Sequence, residues 1–154
     1  MTPEQLIAMA WYIEDGSQQY FDFLKNITQD NEINSNFISL IEHKMAHKKS
    51  LTQLYLKISG QTTNEDFPTS VLQRPPHRVM AGCVSVSEAV NWSKNNDISD
   101  ILDLLIALEA NTFDLYLKLG RRVESDRARK VFMELSEEEA RHLENLSSIF
   151  EKTL

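Results

Sequence analysis

The sequence predicts an all-α fold of four long helices with one long connection between the second and third. Three observations predict it. Apolar residues recur at helical spacing in four separate stretches. Only four Gly and four Pro punctuate 154 residues, which favours long helices over many short strands. The one long stretch without such a period, Gln61 to Asn96, holds Pro68, Pro75 and Pro76.

The first helix opens at Thr2-Pro3-Glu4-Gln5. Thr2 suits the cap, Pro3 the first helical position, and Gln5 the far corner of a capping box. Leu6, Ala10, Ile13, Ser17, Tyr20, Phe21 and Leu24 then share one face, and a polar run from Asn26 to Asn31 ends the helix. In the second helix, Glu32 to Ser59, the face is Phe37, Leu40, Ile41, Leu51, Leu54, Tyr55 and Ile58, with Gly60 as a stop. The third opens at Asp97 with Asp100 three residues on. Its face runs from Ile101 through Leu105, Leu108 and Tyr116 to Leu119, and Gly120 is expected to close it. The fourth starts after Ser125 and runs to about Lys152, with Phe132, Leu135, Leu143, Leu146 and Ile149 inward. The connection, residues 61–96, is read as a crossover. Ser85-Val86-Ser87-Glu88 resembles a capping box for a short helix through Ala89, Val90 and Trp92. One domain of 1–154 is expected.

Composition narrows the function. A formal net charge of -7 disfavours nucleic acid and anionic membranes as partners. No apolar run reaches the ~18 residues needed to span a bilayer. No basic segment followed by an apolar stretch marks a signal peptide, so a cytoplasmic protein is expected. The lone Cys83 excludes a disulfide framework and a four-cysteine centre within one chain, and is expected to be a buried small hydrophobe. Arg121, Arg122, Arg127, Arg129 and Lys130 surround the turn between helices three and four, where they complement helix ends. His77 and Arg78 are read as loop residues, and His43 as a surface residue.

The informative residues are ionisable groups inside the apolar faces, where charge is costly unless paired or bound to metal. On helix four, Glu139-x-x-His142 has both members within roughly 40° of the stripe centre. Glu109 on helix three follows Leu104, Leu105 and Leu108; Glu14 on helix one follows Ile13; His47 on helix two lies on the apolar face. Glu14 has Phe21 seven residues later, and Glu109 has Tyr116 seven residues later. Helices one and three each offer a Glu, helices two and four each a His, and a pseudo-dyad relating the two pairs is expected.

Ala107-Leu108-Glu109-Ala110-Asn111 and Glu137-Glu138-Glu139-Ala140-Arg141-His142-Leu143, with weaker support from Glu14 and His47, resemble rubrerythrin-like members of the ferritin-like superfamily of di-iron carboxylate proteins. The resemblance implies a four-helix bundle in which two helices each give a Glu and the other two each give a Glu-x-x-His. By it, Glu14, His47, Glu109, Glu139 and His142 fall on metal-ligand positions. It further implies iron, mononuclear or dinuclear, an oxidoreductase handling oxygen or peroxide, a homodimer, and an electron donor not readable from the sequence.

The chain departs from the pattern at Lys44, where Glu is expected three residues before His47, and at Thr112, where family members often add a Glu. Lys44 lies near the centre of its stripe, so its ammonium is expected among Glu14, Glu109 and Glu139. The competing reading is a metal-free helical interaction module in which Lys44 neutralises a degenerate di-metal site.

Overall fold

The computed structural model describes residues 1–63 and 66–154; Asn64 and Glu65, inside the expected crossover, lie outside the described residues. Five α-helices occur among the described residues: α1 Pro3–Ile27, α2 Asn31–Ser59, α3 Val86–Ser93, α4 Ile98–Arg122 and α5 Asp126–Thr153. Two strands of two residues each, Val79–Met80 and Val84–Ser85, are the other regular elements of note. The chain divides into two compact units, 1–80 and 81–154.

The first unit is the α1–α2 hairpin. Thr2 accepts from the Gln5 amide while Gln5 returns a side-chain bond, so the predicted capping box is present. Asp30 caps α2 through the Ile33 amide, and Gly60 ends it in the left-handed region at φ 71. Tyr20, Phe21, Leu24, Phe37, Leu51 and Leu54 are buried. Each large apolar side chain so buried contributes about 1.5–3 kcal/mol, which holds the hairpin against its chain entropy. Part of the long connection packs back onto this same pair. The Tyr12 hydroxyl donates to the Leu72 carbonyl at 2.8 Å, and Phe67 stacks on Tyr55 with ring centroids 4.5 Å apart.

The second unit is the α4–α5 hairpin with α3 ahead of it. Asp97, Ser125 and Ser85 cap α4, α5 and α3 as their positions predict. Gly120, expected to close the third helix, is interior to α4, which runs on to Arg122. A Cβ there would lie 3.3 Å from Met133 Sδ and 3.7 Å from Phe132 Cβ, so this glycine serves the close approach of α5. Cys83, expected to be buried, is exposed in the turn between the two short strands, with φ 62.

The two hairpins follow one plan. Adding 95 to a residue number in the first gives its counterpart in the second. α1 and α4 each have 25 residues, and their caps Thr2 and Asp97 are 95 apart, as are Asp30 and Ser125. Phe21 packs on Phe37 with centroids 6.3 Å apart; Tyr116 and Phe132, each 95 further on, are 6.1 Å apart. The turn repeats as well. The Asn34 amide donates to the carbonyls of Lys25 and Thr28, and the Arg129 guanidinium donates to those of Gly120 and Val123. Three pairs of unlike residues, Asn34 and Arg129, Lys25 and Gly120, and Thr28 and Val123, thus make the same two bonds. Helix-end complementation, expected for the basic patch, is what Arg129 provides.

Candidate metal centre

Glu14 is the twelfth residue of α1 and Glu109 the twelfth of α4. Lys44 and His47 are the fourteenth and seventeenth of α2; Glu139 and His142 are the fourteenth and seventeenth of α5. Each pair differs by 95, so both hairpins present the same three positions. One is mid-way along the first helix, and two are one turn apart on the second, on its apolar face. All are buried: Glu14, Lys44 and Glu139 are 0% exposed, His47 and Glu109 1%, and His142 4%. The sequence-predicted ligands are therefore interior groups. Of the run 137–139, only Glu139 is fully buried, and His43 is exposed, as expected.

In the second hairpin, His142 Nδ1 lies 3.3 Å from Glu139 Oε2 and 3.4 Å from Glu109 Oε2. One ligand atom from each of the three residues falls within 4.8 Å of the others, a spacing that could hold a metal ion. Burial by itself disfavours the imidazolium of His142. Hydrogen bonds to Glu109 and Glu139, reinforced by their charges, overcome it and raise the pKa from 6.5 to about 9. A group of two carboxylates and one imidazole therefore attracts a cation, and near neutral pH a proton fills that role. Thr112, where a further Glu was conceivable, donates its hydroxyl to the Leu108 carbonyl at 3.0 Å, within its own helix.

In the first hairpin, Lys44 Nζ lies 3.4 Å from Glu14 Oε2, and His47 Nδ1 lies 3.3 Å from Glu14 Oε1. The expected pairing of Lys44 with Glu14 is present. Beside it, the Lys48 ammonium bonds Asp15 at 2.9 Å and lies 4.7 Å from the Trp11 ring centre. This cluster escaped the sequence reading. Trp11 and Asp15 are one turn apart on α1, but nothing along the chain aligns Lys48 of α2 with them.

The donor set fits a transition metal. Carboxylate and imidazole together suit iron, manganese or zinc, and with neutral imidazoles Glu109 and Glu139 supply a formal -2 that balances a divalent ion. Among the described residues no helix is long and apolar enough to cross a membrane.

No known family profile matches the sequence. No curated protein matches it either. Among solved structures it is similar to a hypothetical protein from Pyrococcus furiosus, with a TM-score of 0.74 and 18% identity over 98% of this chain and 89% of that one. At that identity the likeness is one of fold.

Proposed function

We propose that this is a metal-binding protein of the ferritin-like, rubrerythrin-like kind, a four-helix bundle that holds iron through Glu109, Glu139 and His142. The observation that carries the reading is the convergence of those three buried groups within 4.8 Å. Buried carboxylates destabilise a bundle unless a cation answers them, so their presence on the apolar faces of α4 and α5 calls for a function. Glu14 and His47 are the corresponding donors of the first hairpin. Bound iron would supply one-electron chemistry toward oxygen or peroxide, with an oxidoreductase activity as the consequence. The chain's own part is to hold the donors at fixed register on two packed helices and to keep bulk water away.

The test is elemental analysis of protein prepared anaerobically with iron in excess, alongside His142→Ala. Loss of an outer-shell partner alone typically costs 10–100-fold in metal affinity, so loss of this imidazole should cost at least about 100-fold. Equal metal content in the two proteins would reject the site.

A further inference from the structure

We propose that Lys44 is the resident cation of the first hairpin, so that the chain takes one divalent metal ion, held in the second hairpin by Glu109, Glu139 and His142. The inference rests on the metal-binding reading of that second hairpin and adds its stoichiometry and the device that sets it.

The argument is internal to the molecule. The two hairpins share the length of their first helix, their cap positions, aromatic pair and turn bonds at one constant offset. Within that common plan, Glu14 corresponds to Glu109 and His47 to His142, residue for residue. Lys44 corresponds to Glu139, and it is the one member of the triad that changes. With neutral imidazoles the second triad carries a formal -2, the complement of a divalent ion. The first carries zero, because the Lys44 ammonium cancels Glu14.

Geometry supports the cancellation. Both side chains are wholly buried, and the ammonium lies 3.4 Å from Glu14 Oε2. A long, flexible Lys on a surface position would extend into water. This one stays in the interior beside the carboxylate. A divalent ion bound by Glu14 and His47 would have to sit within a few ångströms of that ammonium, in a medium that screens repulsion poorly. It would also have to displace the ammonium from the carboxylate and leave it buried without that partner, which is costly. The second triad imposes neither cost, since Glu139 stands there in place of the ammonium. The amine is covalently fixed to the chain, so unlike an ion it is never lost to a chelator.

The test uses the full chain, freed of metal by a chelator and titrated anaerobically with Fe(II) and, separately, Zn(II). Ions retained per chain are counted after desalting, for the parent and for Lys44→Glu. The expected result is one ion in the parent and two in the variant. Two tightly held ions in the parent overturn the inference and leave the metal reading standing. A single ion in a folded Lys44→Glu protein also overturns it, since removing the ammonium then opens nothing. No ion in the parent removes the metal reading itself, and the inference with it. A readout on the parent covers the case in which Lys44→Glu does not fold. In protein labelled with 15N-histidine, Zn(II) should shift the imidazole nitrogens of His142 and not show zinc ligation at His47. Zinc ligation at His47 rejects the proposal.

Discussion

The first and second hairpins place three buried polar side chains at the same helical positions, and they differ in the sign of one. Glu14, Lys44 and His47 balance their charge with an amine that belongs to the chain. Glu109, Glu139 and His142 hold an exchangeable proton on His142, which offsets one of their two carboxylate charges. The backbone plan, caps and apolar packing are shared. On the metal-binding proposal, what a buried triad takes follows from the net charge that its three residues leave over, more than from the helix geometry that presents them. One substitution, equivalent to Glu→Lys, moves a triad by two charge units without asking the scaffold to change.

The largest effect on stability should come from breaking that balance in the first hairpin. Lys44→Ala removes the ammonium and leaves the Glu14 carboxylate buried without it, in addition to a cavity. Loss of one partner from a buried pair costs about 3–5 kcal/mol. Glu139→Ala in metal-free protein is the matched comparison. It leaves Glu109 facing a protonated His142, a pair that still balances. Urea denaturation of both variants, treated with chelator, should show Lys44→Ala as the less stable. The reverse order would mean that Glu14 does not depend on Lys44.

A smaller effect, confined to the second hairpin, should appear with pH. His142 has a folded-state pKa near 9 against an ordinary 6.5. Because the folded value is the higher, the contribution is fully present below about pH 6.5 and fades as pH rises through about 9. It is on the order of 3 kcal/mol for metal-free protein. His142→Gln should flatten that part of the stability profile. Metal must displace the same proton, so affinity for Zn(II) should climb with pH until about 9 and level off there. A flat affinity over that range would show that no proton leaves on binding.

Much of this was legible in the chain. Caps are local chemistry, so Thr2, Asp97 and Ser125 mark helix starts through hydrogen bonds made three residues on, whereas the Asp30 cap was hidden inside a polar run. The buried Glu and His positions followed from helical periodicity. The constant offset was not read in full, although Glu14–Phe21 and Glu109–Tyr116 pointed to it. Most of its corresponding positions keep a role and change the residue, as Asn34 and Arg129 do. The packing of Leu72 and Phe67 onto the first hairpin was also hidden, because a segment with three prolines has no period to betray its contacts. Cys83 was misplaced by a residue-type average that carries no information about a tight turn with positive φ.

Gly120 sharpens the comparison at its smallest scale. In sequence it read as a stop, since glycine after a run of apolar residues is the usual C-terminal signal. Its counterpart in the first hairpin is Lys25, which closes no helix either, for α1 continues to Ile27. The shared plan therefore requires helical backbone at this position and no glycine, and the second hairpin's glycine reflects contact with α5. The nearest obstacle to a methyl group is Met133 Sδ at 3.3 Å, the mobile end of an exposed side chain, whereas Phe132 Cβ at 3.7 Å is at ordinary contact distance. Alanine should thus fit after a small shift of the thioether. Replacing glycine inside a helix gains about 0.8–1 kcal/mol in propensity, and the displaced contact offsets part of it. Gly120→Ala should leave stability unchanged or raise it by less than about 1 kcal/mol, read from the urea midpoint. A loss larger than that would show that α5 has no room to yield, and that the second hairpin is packed more tightly here than the position of Lys25 in the first suggests.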